Sequence, residues 1–279
     1  MPELPEVETV RRGLIPRMVG HRIDRLIQRR KDLRVPLPRQ FATKVEGRTV
    51  QAIDRRAKYL LIRLDDGQTL IVHLGMSGRM TLHDAKSAAE HPFERHDHVV
   101  IELDDGWQVR FNDARRFGLM LLVPTETVAK HKAFKGLGPE PLDDAFDGAI
   151  LAQRLKGRRT PIKAALLDQK TLVGVGNIYA CEALYMSGIS PRRSAHTVQG
   201  ERADRLVEAI KQVLSRSIVD GGSTLRDHVQ PGGELGYFQT RFKVYDRLGA
   251  PCQTRDCGHL VKRLVQAGRS TFYCARCQR

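Results

Sequence analysis

Four cysteines near the C-terminus constrain the fold of this chain more than any other feature. They form a C-x4-C-x16-C-x2-C array, set in Gly- and Arg-rich turns between β-rich flanks: Cys252, Cys257, Cys274 and Cys277. Four thiolates suit one tetrahedral Zn²⁺ ion and leave no open coordination position for water. Two disulfides are the alternative, and they are rare inside cells. The array therefore predicts one structural zinc ion that folds the C-terminal segment.

The charge balance points to a polyanionic partner. The 279 residues include 47 Lys and Arg against 32 Asp and Glu, a formal net charge of +15. Such a balance favours nucleic acid. A membrane surface is the rival, but the basic residues are spread along the whole chain rather than gathered on one amphipathic helix.

Neither export nor membrane insertion is expected from this sequence. Residues 1–6 carry acidic side chains where a secretory signal carries basic ones. No apolar run approaches the ~20 residues that span a bilayer. We therefore expect an intracellular protein with no membrane contact.

Hydrophobic periodicity changes along the chain. Residues 3–18 carry an apolar stripe at helical spacing, whereas residues 22–123 alternate in short β-type runs that include two hairpins. After residue 124 the periodicity is helical, with helices predicted at 126–134, 146–155, 160–167, 177–186 and 197–219. Residues 221–237, which include five glycines, are expected to form a mobile surface loop.

The first two residues have a chemical consequence of their own. Removal of Met1 ahead of a small residue leaves Pro2 with a secondary amine, and about a quarter of such amines are uncharged at pH 7.5. An uncharged secondary amine that attacks an aldehyde-level carbon forms an iminium ion, which acts as an electron sink for elimination. Most proteins that begin Met-Pro make no such use of the proline, so this hypothesis needs support from elsewhere in the chain.

Several motifs in order along the chain supply that support. Together with the cysteine array they are PELPEVETV at residues 2–10, KYL at 58–60, HLGMSG at 73–78, DARRFG at 113–118 and GVGNIYA at 174–180. In this combination the sequence resembles the bacterial formamidopyrimidine-DNA glycosylases from end to end. Any one of these motifs alone could belong to an ordinary hairpin, turn or buried segment, so the resemblance depends on their combination.

The resemblance implies an α+β multi-domain fold. Its parts are an N-terminal β-sandwich with a flanking helix at residues 1–125, a helical domain with a helix-two-turn-helix motif at 131–222, and a C-terminal zinc-finger β-hairpin at 242–279. It implies a bifunctional glycosylase/lyase that excises 8-oxoguanine and formamidopyrimidines, then cleaves the strand by β- and δ-elimination. The expected partner is duplex DNA with oxidised bases or abasic sites, bound by a monomer in the bacterial cytoplasm, associated with the nucleoid.

Catalytic roles are carried over to five residues. Pro2 is the expected nucleophile on C1′, and Glu3 the expected acid/base that protonates the sugar ring oxygen. Lys58 is expected to serve β-elimination, and Arg269 to clamp phosphates and stabilise the phosphate that leaves in δ-elimination. Glu6 either orients Glu3 or is an ordinary first-turn acid that complements the helix dipole.

The resemblance also assigns DNA contacts. Met76, Arg115 and Phe117 are expected to fill the gap left by a flipped nucleotide, with membership of the core as the alternative for the two apolar side chains. Phosphate contacts and further DNA-binding positions are expected at His73, His96, Arg159, Lys163, Asn177 and Arg263. One departure from the family pattern is the four-residue spacing of the first cysteine pair, where Asp256 or His259 is an alternative ligand.

Two other functions compete with this one. The sister endonuclease VIII group shares Pro2, Glu3, Lys58 and the zinc hairpin but removes oxidised pyrimidines; Leu4 and the three gap-filling residues argue against it. The second is a non-catalytic DNA-binding protein in which Pro2 is idle. A covalent adduct trapped on damaged DNA separates an enzyme from a mere binder.

Overall fold

Eight strands with largely buried apolar side chains form two antiparallel sheets in the N-terminal part of the fold. The computed structural model describes residues 2–224 and 230–279. The strands are β1 (Ile23–Gln28), β2 (Val50–Arg56), β3 (Tyr59–Leu64), β4 (Gln68–His73), β5 (Arg79–His83), β6 (Asp97–Leu103), β7 (Gln108–Asn112) and β8 (Leu119–Pro124). One sheet has the order β1-β6-β7-β5 and the other β2-β3-β4-β8.

A single apolar core joins both sheets to the N-terminal helix α1 (Leu4–Met18). Ile101 of one sheet and Ile62 of the other belong to this core, as does the helical stripe. The stripe residues are at most 1% exposed: Val7, Val10, Leu14 and Met18. Burial of each such side chain contributes about 1.5–3 kcal/mol. The predicted β-sandwich with a flanking helix is confirmed.

Both predicted hairpins are present, but the helix predicted just after the sandwich is shorter and of another type. β3 pairs with β4, and β6 pairs with β7. Residues Thr125–Lys130 form a 3₁₀ helix with no buried residue and no side-chain cap, so nothing there stabilises further turns. Two short helices complete this region, α2 (Phe41–Val45) and α3 (Ala85–Glu90).

The chain divides into two compact units. Residues 1–135 and 220–237 form the first, and residues 136–219 and 238–279 form the second. The first unit contains the sandwich, and the second contains the longer helices and a C-terminal hairpin. Among the described residues, no helix combines the length and apolarity needed to cross a membrane.

Four helices make up the larger part of the second unit. They are α4 (Gly148–Leu155), α5 (Ile162–Leu167), α6 (Asn177–Met186) and α7 (Glu201–Val219). α7 packs against α4 and α6, and α5 packs against α6. Gln169 holds the segment between α5 and α6, because its Oε1 accepts from Gly174 N at 2.8 Å and its Nε2 donates to Val175 O at 3.1 Å.

The second unit ends in a hairpin of β9 (Lys262–Gln266) and β10 (Arg269–Tyr273). The segment that leads into it is fastened by Glu182, a buried residue of α6. The backbone N–H groups of Lys243, Val244 and Tyr245 all donate to this carboxylate, at 2.9, 3.0 and 2.8 Å. Three backbone donors satisfy a carboxylate that burial alone would destabilise.

A buried ion-pair network holds α1 on the sandwich. Glu8 accepts hydrogen bonds from Arg11 at 2.8 Å, from Arg12 at 3.0 Å and from Arg55 of β2 at 3.1 Å. Burial alone would raise the pKa of Glu8, but the arginine contacts outweigh it and lower the pKa from 4.5 to about 2.

The shift at Glu8 predicts a specific acid lability. Its stabilisation is present above pH 4.5 and is lost as the pH falls from 4.5 towards 2, a contribution of about 3 kcal/mol. We expect the free energy of unfolding of Glu8→Gln to fall less steeply with acidification than that of the wild type. Denaturant unfolding at a series of pH values measures this. The same dependence of the free energy of unfolding on pH in both proteins would refute the prediction. Acid release of zinc affects both proteins equally.

Candidate active site and nucleic-acid interface

Pro2 and Glu3 stand at the start of α1, and both are buried. Glu3 and Glu6 form a reciprocal capping box: Glu3 N donates to Glu6 Oε2 at 2.9 Å, and the Glu3 side chain accepts from the backbone N–H of Glu6. Ser223 N also donates to Glu6 Oε1 at 2.8 Å. The first turn of α1 therefore fixes a carboxylate next to Pro2.

The glycine-rich loop predicted at 221–237 lies only partly within the described residues, since 225–229 fall outside them. In the described part, Ser223 and Tyr237 form an isolated antiparallel bridge. The contact from Ser223 to Glu6 places one end of this segment at the start of α1.

Lys58 lies in the tight turn between β2 and β3 and is 6% exposed. On β4, His73 pairs with Tyr59, the residue that follows Lys58, and the two tilted rings have a centroid distance of 4.7 Å. Burial, and then the charges of Lys58 and Arg34, lower the pKa of His73 to about 4. His73 Nδ1 accepts a hydrogen bond from Gly75 N at 3.0 Å. At neutral pH His73 is therefore an uncharged ring with its proton on Nε2.

Met76, Arg115 and Phe117 lie on two loops of the first unit and are all exposed. Met76 is 38% exposed and Phe117 is 44% exposed, which excludes the alternative that they belong to the core. The Arg115 guanidinium lies 4.8 Å from the centre of the Phe117 ring. Exposed apolar side chains beside a planar cation suit contact with nucleobases.

His96 is half-buried at the edge of the same region, and its carbonyl accepts a hydrogen bond from Asp113 N at 3.0 Å. The neighbouring His98 is 2% exposed and donates from Nε2 to Asp113 O at 2.8 Å. Burial lowers the pKa of His98. His98 is thus a structural histidine, while His96 is the one that reaches the surface.

Three of the four residues of the second unit that are expected to contact DNA meet around Ser270 of β10. Lys163 Nζ and Asn177 Nδ2 both donate to Ser270 O at 3.0 Å, and Arg263 Nε donates to Ser270 Oγ at 3.0 Å. Arg269 is the next residue along the strand and is exposed. No sequence pattern indicated this role for Ser270, because it depends on contacts 93 and 107 residues apart.

Lys163, at which a phosphate contact is expected, is completely buried. Its ammonium group also donates to Thr271 Oγ1 at 2.7 Å. In this conformation the charge therefore holds the hairpin, and a direct phosphate contact stays a prediction that requires Lys163 to leave these partners. Arg159, Arg263 and Arg269 are exposed.

The hairpin tip carries backbone strain next to Arg269. Ala267 and Gly268 both adopt positive φ, at 47° and 70°. Two consecutive residues of this kind form the mirror-image turn that suits the twist of a two-residue hairpin. Glycine takes this conformation freely, whereas alanine does so at a cost of about 1 kcal/mol. Arg269 begins β10 directly after this turn.

The four cysteine sulfurs are arranged for one metal ion. All lie within 4.8 Å of one another. The distance from Cys252 Sγ to Cys277 Sγ is 3.7 Å, from Cys257 Sγ to Cys274 Sγ 3.6 Å, and from Cys257 Sγ to Cys277 Sγ 3.4 Å. Tetrahedral zinc with bonds of about 2.3 Å separates its sulfur ligands by about 3.8 Å. The predicted structural zinc site is confirmed by this geometry.

The long spacing of the first cysteine pair does not change the ligand set. Asp256 is exposed and adopts a φ of 58°, and His259 Nδ1 lies 3.1 Å from Cys257 O. The Tyr185 hydroxyl of α6 lies 3.3 Å from Cys252 Sγ and 2.7 Å from Thr254 Oγ1. Hydrogen bonds to ligand atoms of this kind orient a metal site.

Comparison with known proteins relates this chain to one family of DNA glycosylases. The profile "Formamidopyrimidine-DNA glycosylase N-terminal domain" matches residues 1–120, the "Formamidopyrimidine-DNA glycosylase H2TH domain" matches 137–229, and the "Zinc finger found in FPG and IleRS" matches 249–279. The formamidopyrimidine-DNA glycosylase of Dinoroseobacter shibae is 56% identical over 284 residues and covers 100% of both chains. The chain belongs to the formamidopyrimidine-DNA glycosylase family.

Solved structures of this glycosylase family have the same fold. A variant of the Lactococcus lactis protein, in complex with Fapy-dG-containing DNA, is 34% identical with a TM-score of 0.89 and covers 100% of both chains. The Thermus thermophilus protein is 40% identical with a TM-score of 0.85, covering 99% of this chain and 98% of that one.

We expect Lys163→Met to loosen the hairpin without releasing zinc. The change removes one of the two side-chain donors to Ser270 O and the Lys163 donor to Thr271 Oγ1, which costs about 1–3 kcal/mol. Hydrogen-exchange mass spectrometry of residues 262–273 should show faster exchange. Lys262→Met removes an exposed charge from the same hairpin and is the matched control. Equal exchange in both variants would contradict the anchoring role of Lys163.

His73 is expected to stay neutral well below pH 6.5. Because its folded-state pKa of about 4 is lower than its usual value of 6.5, it contributes stability above pH 6.5 that is lost as the pH falls from 6.5 towards 4. NMR titration of the His73 Cε1–H resonance measures the value directly. Lys58→Gln should raise it, because one of the two nearby cations is removed. A His73 titration midpoint near 6.5 would show that the ring is not held in this environment.

Proposed function

We infer that this protein is a base-excision-repair DNA glycosylase and AP lyase that removes oxidised purines from duplex DNA. The observation that carries the inference is the start of α1, where Pro2 precedes a buried glutamate in a chain that matches the glycosylase family over its full length. The solved relatives include a complex with Fapy-dG-containing DNA and one with DNA containing an abasic site. The net charge of +15 suits the same partner.

The chemistry begins at the N-terminal amine. In the proposed scheme the lone pair of Pro2 N bonds to C1′ of the damaged nucleotide, and the bond to the base breaks. The departing base takes the bonding electrons and the proton that the Pro2 nitrogen loses. Glu3 gives a proton to the sugar ring oxygen as the ring opens, which leaves an iminium ion between Pro2 and C1′. The capping box supports this role, because it holds Glu3 beside Pro2. In this scheme Glu6 is the positioning residue of Glu3.

Strand cleavage follows from the same intermediate. The iminium ion withdraws electrons, so the C2′ proton is lost and the 3′ phosphate leaves in β-elimination; a second elimination releases the 5′ phosphate. We propose that Lys58 serves the first elimination and that Arg269 binds and stabilises the departing phosphate. A guanidinium group keeps its proton at neutral pH, so Arg269 acts through its charge.

The remaining proposals concern DNA binding. Met76, Arg115 and Phe117 enter the stack where the damaged nucleotide has left it, and their exposure supports this role. Phosphates are contacted by His73 through its neutral Nε2–H, by His96, Arg159, Lys163 and Arg263, and by Asn177 at the start of α6. Zinc has no part in the reaction, because four cysteine ligands leave it no open position.

The sequence also supports proposals on the domains, the oligomeric state and the cellular location. We propose domains at residues 1–125, 131–222 and 242–279, a monomer as the active form, and a place in the bacterial cytoplasm in association with the nucleoid. The zinc hairpin is the structural element that presents Arg263 and Arg269.

Trapping with borohydride tests the proposed nucleophile. Wild-type protein incubated with duplex DNA containing 8-oxoguanine should form a reduced covalent adduct, and peptide mass spectrometry should locate it at Pro2 N. Pro2→Gly should retain DNA binding but lose most strand cleavage, whereas Pro5→Ala, on the same turn of α1, should trap normally. Glu3→Gln should block excision of the base.

Three outcomes would count against the proposal. Full nicking by Pro2→Gly, or by protein that retains Met1, would remove the amine from the mechanism. Binding without any adduct would favour a non-catalytic DNA-binding protein. Preference for oxidised pyrimidines over 8-oxoguanine on matched duplexes would favour the endonuclease VIII group.

A further inference from the structure

Asp113 is a buried residue of the first unit that forms hydrogen bonds through both its side chain and its backbone. It is 0% exposed. Its side chain accepts from Ser77 Oγ at 2.6 Å and from Gly118 N at 2.8 Å. Its carbonyl accepts from His98 Nε2 at 2.8 Å, and its N–H donates to His96 O at 3.0 Å. Among the described residues it has no cationic partner within salt-bridge distance.

These contacts tie together the two loops that carry Met76, Arg115 and Phe117. Ser77 adjoins Met76, and its Oγ donates to Asp113 while accepting from Arg115 N at 3.1 Å. The second carboxylate oxygen of Asp113 holds Gly118 N, the group that follows Phe117. Ser77 and Asp113 therefore contact the backbone next to each of the three exposed side chains.

The backbones of the two loops also touch. Gly75 has a φ of +67°, and a Cβ atom there would overlap the carbonyl carbon of Phe117. A Cβ atom on Gly118 would lie 2.7 Å from Phe111 Cζ and 3.0 Å from Asp113 Oδ2. Direct backbone packing of this kind leaves the loops little freedom to move separately.

We propose that Ser77 and Asp113 are positioning residues that lock these two loops into one rigid DNA probe, so that Met76, Arg115 and Phe117 enter the base stack together. The inference rests on the proposed function. Unstacking a base step costs a few kcal/mol, and ordering each loose backbone residue costs about 1–2 kcal/mol more. Loops that are already ordered before they meet DNA avoid the second cost.

The buried carboxylate explains why a serine is needed at position 77. A buried charge must be satisfied by hydrogen bonds, and Ser77 supplies one of the two side-chain donors that Asp113 receives. An alanine there leaves Asp113 Oδ1 without that donor and Arg115 N without an acceptor. Both of these lost hydrogen bonds connect one loop to the other.

The test compares substrates that do and do not require a base to be expelled. Ser77→Ala should lower kcat/KM for excision of 8-oxoguanine by about tenfold. Cleavage at a preformed abasic site should change much less. Stopped-flow fluorescence of 2-aminopurine beside the lesion should show slower opening of the stack. Ser87→Ala on α3, away from both loops, is the matched control and should leave all three measurements unchanged.

A double-mutant cycle distinguishes a positioning role from general destabilisation. If Ser77 acts through the probe, Ser77→Ala should cost almost nothing further in a Phe117→Ala background, whereas a change in overall stability would add in full. Asp113→Asn retains one acceptor oxygen and should recover part of the activity that Asp113→Ala loses.

Additive losses, an equal fall on lesion and abasic DNA, or unchanged excision by Ser77→Ala would overturn the proposal. These measurements require that the wild-type protein first be shown to form the Pro2 adduct. If the wild type forms no such adduct, the proposed function itself is rejected.

Discussion

Burial of α1 against the sandwich is the constraint on which the candidate active site depends. The helix places its apolar stripe in the common core, and the Glu8 network ties its first turns to β2. The chain's first residues would ordinarily be among its most mobile. Because α1 begins at Leu4 and is packed on the sandwich, the positions of Pro2 and Glu3 are fixed as well. An N-terminal amine can act as a nucleophile at a fixed carbon only when its backbone is held in this way.

Buried polar side chains repeatedly fix the segments that carry the candidate functional residues. Glu6 holds the start of α1, Asp113 holds the probe loops, and Lys163 holds the hairpin that carries Arg269. Each anchor is desolvated, so loss of one partner costs more than an exposed contact would. The candidate DNA-binding side chains on the probe loops and the hairpin are exposed, and buried neighbours fix their positions.

The sequence predicted those parts of the fold that depend on local patterns. The stripe of Val10 and Leu14 follows from helical spacing, both hairpins follow from alternation, and the zinc site follows from cysteine spacing. The burial of Lys163 and the neutral ring of His73 did not follow, because each depends on groups far away in sequence or on depth in the fold. Ser77 and Asp113 lay inside motifs that were recognised, yet only the hydrogen bonds show what they do.

The zinc site and Lys163 fix the C-terminal hairpin at two different places. Cys257 precedes β9 and Cys274 follows β10 directly, so one ion closes the open end of the hairpin. Lys163 and Asn177 hold the strand close to the tip, through Ser270. A two-stranded hairpin is marginally stable alone, and either attachment by itself would leave the tip free to pivot. Together they set the position of Arg269.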